Sequence, residues 1–255
     1  MRMLALPIAL ALGALLYTNL PQTEEKLAAA LRALLAKIRQ RFTSKNGKTD
    51  DRSALIVYFL SLAAAATILC AIHPLAAALL AAPLFSGFSP IPAAAATKQE
   101  LDSGKFSKNI PEYERRVRAA CAPLGEAFAL RVITPMILCL LGMALHLGCA
   151  LGWLYTGLCA VREEVPSGEK TLSLAARIGE GALGIMLFLC SGLVGRNPLN
   201  VGGTDSGEKL MHLLSLEGES DHAPISGDIT QAIFLCSLCT GILCLVLSGL
   251  SFLIL

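Results

Sequence analysis

The chain has 255 residues, of which 55% are hydrophobic and 16% are charged, and its mean hydropathy is +0.63. Soluble domains are usually about 45–50% apolar and about 25% charged, so this composition excludes an ordinary soluble domain. The basic loops also lack the interleaved aromatic residues of a nucleic-acid platform, which excludes that class of partner.

Long runs of Leu and Ala indicate the fold class. They lack the period-2 alternation of a barrel, and a bilayer core needs about 20 apolar residues for each helix. The sequence therefore predicts an all-α, polytopic integral membrane helix bundle with about six spans, in contact with a lipid bilayer. The predicted segments of this single membrane domain are 1–20 (first span), 21–52 (basic amphipathic helix and loop), 53–97 (paired spans), 98–127 (cytoplasmic polar hairpin), 128–195 (central spans), 196–228 (polar loop) and 229–255 (last span).

Four stretches within these segments allow more than one interpretation. Residues 1–20 could be a signal peptide, but no small-residue cleavage site precedes Gln22, so a span is favoured. The amphipathic helix after it lies either on an anionic leaflet or against the other spans. Residues 75–97 contain three prolines, which predict a kinked or partly inserted segment. Residues 128–161 are too long for one untilted span, so they form either one long tilted helix or two broken near Gly142 to Gly152.

The basic residues predict the orientation. Residues 21–52 contain eight Lys and Arg and residues 98–127 contain six, so both segments are placed in the cytoplasm. If 128–161 crosses once, the link 162–178 faces outward and the loop 196–228 returns to the cytoplasm. A bacterial inner membrane is the expected location.

The nine cysteines lie mainly in or beside apolar runs. Their odd number and the absence of loop pairs argue against a disulfide framework. Cys236 and Cys239 have the spacing of a redox or metal pair, but they stand in the middle of a span and have no second ligand pair. Buried small apolar residues are the favoured interpretation.

The polar loop 196–228 is the first candidate site. Its glycines would let backbone amides approach an anion, and its carboxylates could hold Mg²⁺, although the metal itself is left open. Arg196 and Lys209 could contact phosphate. A solvated loop with a short amphipathic helix is an equally weighted interpretation. Its other ionisable residues are Glu208, His212, Glu217, Glu219, Asp221, His222 and Asp228.

Three charges at span ends are further candidates. Arg131 is either functional or, as the simpler interpretation, extended to the membrane interface, with Glu126 as its nearest acid along the chain. Arg177 and Glu180 have the i,i+3 spacing of an ion pair on one helix face.

Three motifs of the chain are similar to those of a known family. Glu126 and Pro135 keep the separation of the ends of a Glu-Asn-x-Ser/Thr-Asp-Gly-Val-Val-Ala-Pro motif, although its Asp falls on Leu130. Ala176 to Glu180 is similar to Ala-Arg-Leu-Asp-Asp. Asn200 and Gly202 match His-Pro-Ser-Pro-Asn-Ala-Gly. The family is the cobinamide-phosphate synthases of cobalamin biosynthesis (the CobD/CbiB type), and the order of features along most of the chain also resembles it.

The resemblance implies a membrane-bound ligase. It would join a corrinoid carboxylate to aminopropanol or its phosphate, with ATP and Mg²⁺ as cofactors. The implied catalytic residues are Glu126, Arg177 and Glu180, and the implied substrate-binding residues are Asn200 and Gly202. Arg196 and Lys209, the candidate phosphate contacts of the same loop, complete the predicted substrate-binding set. The corrinoid is the implied substrate, and proteins of the membrane or of the cobalamin pathway are compatible partners.

Two hypotheses follow from the altered motifs. An active synthase predicts that Glu126, Arg177, Glu180 and the loop 196–228 converge on one cytoplasmic face. A non-catalytic scaffold, regulator or accessory protein on the same helices predicts that they are scattered or paired with one another. A transporter is less favoured, because few charges lie within the spans.

Overall fold

The computed structural model describes residues 5–43, 51–104, 106, 109–165, 168–216 and 223–254. Within these ranges eleven α-helices are joined by turns, and the predicted all-α bundle is confirmed. The helices are α1 (Ala5–Asn19), α2 (Thr23–Phe42), α3 (Asp51–Ile72), α4 (Pro74–Ala81), α5 (Ile91–Asp102), α6 (Ile110–Phe128), α7 (Thr134–Ala144), α8 (Ala150–Ala160), α9 (Glu169–Ser191), α10 (Ser206–Leu213) and α11 (Ser226–Ile254).

Several helices are long and apolar enough to cross a membrane. Four qualify by themselves, and two bent pairs raise the number of candidate spans to as many as six. The first pair is α1 with α2, bent by 105°, and the second is the segment from Leu75 to Asp102, bent by 51°. Helix α3 exposes much of its apolar surface, which suits contact with lipid chains. Its large exposed side chains are Ile56, Val57, Leu60, Ile68, Leu69 and Ile72. The protein is therefore a multi-pass membrane protein.

Proline breaks the segment 75–97, as the sequence predicted. Helix α4 ends at Ala81, and two 3₁₀ turns, Ala82–Leu84 and Ser86–Phe88, lead into α5. The Tyr17 hydroxyl of α1 donates a hydrogen bond of 2.6 Å to the Pro83 carbonyl. A side chain of another helix thus satisfies a backbone group that the break exposes.

The long apolar run 128–161 forms two antiparallel helices rather than one. Helix α6 continues through a π-helical turn, Ala129–Ile133, into α7, and α8 then returns along α7. The turn between them places His146 at φ 59° and Gly148 at φ 58°, both in the left-handed region. At 11 residues, α8 is only about 16 Å long and too short to cross a bilayer core unaided.

The return of α8 agrees with the second alternative for 128–161, two broken helices, and so removes the condition under which the link 162–178 was expected to face outward. Arg39, near the end of α2, forms an ion pair with Glu164, which follows α8. These two residues were predicted to lie on opposite faces of the membrane. A direct contact places them on the same side, because the α7–α8 hairpin brings the chain back to the side from which α6 entered.

Candidate functional site

Glu126 stands between two cavities on the last turn of α6. Its side chain is exposed, and it lines both cavities. The helix packs closely behind it, because a Cβ built on Gly125 would lie 2.3 Å from the Ser206 carbonyl oxygen. Only glycine permits this approach of α6 to the start of α10. Glu126 therefore follows a tightly packed backbone position, and its own side chain lies at the boundary of the two cavities.

The first cavity has a volume of about 770 Å³. It lies among α2, the end of α6, α8 and the start of α9. Its size is within the usual range for small-molecule sites, about 300–1,000 Å³. Charged and apolar side chains both line it. The charged ones are Glu24, Glu126, Arg131, Arg162 and Glu169.

Arg131 has a partner in this cavity that the sequence did not indicate. Its guanidinium forms an ion pair with Glu24 of α2, and the Ser89 hydroxyl donates a 2.6 Å hydrogen bond to the other Glu24 oxygen. Glu126, the expected neighbour of Arg131, is not its ion-pair partner among the described residues. Arg131 therefore connects α2 to the π-helical turn.

The π-helical turn shifts the backbone hydrogen bonds beside the cavity. The Thr134 hydroxyl donates to the Ala129 carbonyl at 2.9 Å, and the Tyr155 hydroxyl donates to the Leu130 carbonyl at 3.0 Å. Such turns are frequent at functional sites. Here side chains provide hydrogen-bond donors for the carbonyls that a regular helix would use internally.

The second cavity has a volume of about 560 Å³ and lies between α6 and α10. Arg115, Arg118 and Glu126 line it from α6, and Asp205 and Glu208 line it from the start of α10. Both arginines have acidic neighbours on their own helix: Arg115 pairs with Glu112 at 2.7 Å and Arg118 with Glu114 at 3.6 Å.

Helix α10 begins with reciprocal capping inside the polar loop. The Asp205 carboxylate accepts from the Glu208 backbone N–H at 2.8 Å, and Glu208 accepts from the backbone N–H and the hydroxyl of Thr204 at 2.6 and 2.7 Å. These bonds, chiefly the Thr204 N–H, hold the pKa of Glu208 below its ordinary value. Part of the polar loop is thus a capped helix. Its first residues pack against α6 at Gly125.

Arg177 and Glu180 flank the point where α9 crosses the π-helical turn. Gly179 lies between them, and its built Cβ would be 2.5 Å from the Ala129 carbonyl oxygen. Ala176 lines the first cavity. Arg177 is exposed and Glu180 half-buried, and the ion pair that their spacing allows is absent from the described residues. Their stretch of α9 thus contacts the π-helical turn that follows α6, but Arg177 and Glu180 themselves line neither cavity.

Three of the predicted substrate residues lie in α10 or in the loop before it, and none of these three lines either cavity. The aliphatic chain of Lys209 lies over Gly184 of α9, within 3.4 Å of its built Cβ. A Cβ built on Gly202 would lie 3.7 Å from the imidazole ring of His212. Asn200 is exposed at the end of the 3₁₀ turn Pro198–Asn200.

Arg196 belongs to a different cluster at the start of α11. It donates to Gln231 at 2.7 Å and pairs with Asp228 at 3.3 Å, and Asp228 is only 1% exposed. Asp228 also accepts from the Ile225 backbone N–H at 2.9 Å. The structure therefore assigns Arg196 a structural partner and does not place it at either cavity.

Three residues of the first cavity were missed by sequence reasoning. Glu24 lies in the first turn of α2, where acidic residues are common because they stabilise the helix N-terminus, so its position alone did not indicate a site. Tyr155 lies in the middle of α8, and Arg162 follows that helix in the 3₁₀ turn Arg162–Glu164. The sequence left open whether α7 and α8 are separate helices. Only knowledge of which helices touch would have identified them.

No group of three or more metal-ligand side chains occurs in the described ranges. The loop residues Glu217, Glu219, Asp221 and His222 lie outside them. Mg²⁺ needs no such group, since it is usually held by one or two carboxylates together with substrate phosphates. Cys236 and Cys239 are fully buried in α11, as expected for small apolar side chains. The chain matches no protein-family model, no curated protein and no solved structure among those compared with it.

Proposed function

We propose that this protein is a membrane-bound ligase of the cobinamide-phosphate synthase type, located in a bacterial inner membrane with its basic segment in the cytoplasm. One observation carries the proposal. Glu126, the acid that the resemblance makes catalytic, stands on the wall shared by two cavities. A ligase that uses ATP needs two adjoining sites, one for the nucleotide phosphates and one for the acceptor acid.

The second cavity suits the phosphates. Arg115 and Arg118 would contact phosphate oxygens, and the buried Arg118 Nε makes no hydrogen bond within the described residues. The carboxylates of Asp205 and Glu208 also line this cavity, and one or two carboxylates together with phosphate oxygens form the kind of ligand set that Mg²⁺ accepts. The residues present thus fit ATP and Mg²⁺: ATP would supply the phosphoryl group that activates the carboxylate, and Mg²⁺ would neutralise the phosphate charge.

The first cavity suits the carboxylate and the amine. Arg131, which lines this cavity, would hold the acid as a charge-assisted pair, whereas Arg177 lines neither cavity. Glu126 would take a proton from the ammonium group, because only a neutral amine is nucleophilic. Glu180, Lys209, Asn200 and Gly202 line neither cavity, so they would support the site from outside rather than touch the substrate. Arg196 would hold the start of α11 rather than bind substrate.

The test is a mass-spectrometric assay on membranes that contain the protein, with cobyric acid, aminopropanol phosphate, ATP and Mg²⁺. We expect an amide product that falls by about 10²-fold or more in Glu126→Gln, as for loss of a general base, and that also falls in Glu180→Ala. Glu163→Gln is the matched control, because Glu163 is exposed and lines neither cavity. Equal loss in the control would contradict the assignment.

The second candidate is a non-catalytic membrane scaffold, regulator or accessory protein. The observation that favours it is the ion pair of Arg196 with Asp228, since a candidate substrate residue is already used to hold two elements together. Membranes that form no product, beside an active synthase assayed in parallel, would support this second function.

A further inference from the structure

Two cysteines that are 79 positions apart meet at the end of α3. Cys70 is in the last turn of that helix, and Cys149 immediately precedes α8. Their sulfur atoms are 3.2 Å apart. Cys70 is half-buried and Cys149 is buried.

The backbones of the two segments are close for reasons that do not involve sulfur. The Thr67 hydroxyl donates to the Leu147 carbonyl at 3.3 Å. A Cβ built on Gly148 would lie 2.6 Å from the Cys70 Cβ, so the left-handed turn before α8 lies directly against α3. The two thiols are therefore held in place by their surroundings, and a small movement would bring the sulfur atoms to bonding distance, about 2.05 Å.

The expected orientation puts this pair in an oxidising compartment. The basic residues of 21–52 precede α3, and Cys70 lies at the opposite end of that helix. If the basic end is cytoplasmic, the Cys70 end faces the other side, where disulfides form and persist. We propose that Cys70 and Cys149 form a disulfide that joins α3 to the α7–α8 turn.

The reaction is thiol–disulfide exchange with an oxidised dithiol carrier, a protein or a small molecule that contains a disulfide. The Cys70 thiolate attacks one carrier sulfur and releases the other as a thiol. The Cys149 thiolate then attacks the Cys70 sulfur and releases the second carrier thiol. Two electrons pass to the carrier, and the two protons of the cysteine thiols end on its sulfurs.

Tryptic peptides make the pair measurable. Membranes are treated with N-ethylmaleimide, and the protein is denatured and digested without reductant. Residues 53–98 form one tryptic peptide, whose one cysteine is Cys70, and residues 132–162 form another, which contains Cys139, Cys149 and Cys159. We expect the two peptides to be joined, to separate on reduction, and the number of alkylated cysteines before reduction to fall from nine to seven.

Single substitutions identify the partner. Cys149→Ser should abolish the joined peptide, whereas Cys139→Ser and Cys159→Ser should leave it intact. Nine alkylated cysteines in the wild-type protein, both in fresh membranes and after treatment with oxidised glutathione, would overturn the proposal. A joined peptide that persists in Cys149→Ser would overturn it as well. The measurement on the wild-type chain is decisive even if a variant fails to fold.

Discussion

The contact between α9 and the π-helical turn can be tested by adding one methyl group to Gly179. The alanine Cβ would lie 2.0 Å from the Thr134 hydroxyl oxygen and 2.5 Å from the Ala129 carbonyl oxygen. The hydroxyl could rotate away, but it would lose its 2.9 Å hydrogen bond to that carbonyl. The carbonyl is backbone and moves only if α9 or the π-helical turn moves.

Gly181 is the matched control on the same helix, because a Cβ there meets nothing within 4 Å. Both substitutions gain the same helix propensity, about 1 kcal/mol, so that gain cancels in the comparison. What remains is the overpacking cost at Gly179, about 1–3 kcal/mol. At about 2–4 °C for each kcal/mol, we expect Gly179→Ala to melt about 2–12 °C below Gly181→Ala.

The assay is thermal melting of the detergent-purified protein, followed by the fraction that still elutes as one species on size exclusion. Gly181→Ala should melt at or above the wild-type temperature. If the two variants melt together, α9 does not approach the π-helical turn as closely as described, and the placement of Arg177 and Glu180 beside that turn fails with it.

Three further predictions concern charged residues. Asp228→Ala should cost about 3–5 kcal/mol of stability, because it leaves Arg196 without its buried partner; a loss below about 1 kcal/mol in the same melting assay would contradict this. The lowered pKa of Glu208 means that its capping of α10 is present above the unfolded value, about 4.3, and is lost as pH falls through the folded value. Hydrogen exchange in α10, corrected for intrinsic rates, should rise in the wild type as the pH falls through the lowered folded pKa of Glu208, and it should change less in Glu208→Gln, where only the Asp205 cap titrates. Finally, Arg39→Cys and Glu164→Cys, each in a cysteine-free chain, should react with an impermeant maleimide from the same side of the membrane, and labelling from opposite sides would restore the original topology.

Much of the fold could be predicted because apolar runs and prolines act locally. The span predicted at 53–72 is α3, and the break in 75–97 occurs at Pro83. The last span was predicted to begin at residue 229, and α11 begins at Ser226. The difference arises because Asp228 is buried inside the bundle, whereas hydropathy treats every aspartate as solvated.

The site could be predicted only in part. Glu126 was found from its motif, but its relation to the first cavity depends on Glu24, which is 107 positions from Arg131. Nothing in composition signals a pair at such a distance. The outward orientation of the link 162–178 followed only if 128–161 crossed once. Mean hydropathy could not choose between one helix and two, because it does not register that the turn at His146 and Gly148 reverses the chain.

The π-helical turn has a consequence for how one wall of the first cavity is built. Four residues at intervals of four line that cavity, namely Pro123, Ala127, Arg131 and Pro135. In a regular helix twelve positions amount to about 1,200°, so the first and the last would point about 120° apart. The π-helical turn absorbs about one extra residue and reduces that difference to about 20°. Deleting a single residue from 129–133 would restore the regular phase and swing α7 by about 100° relative to α6. The shape of the cavity therefore depends on the length of the chain at this point as well as on the side chains that face it.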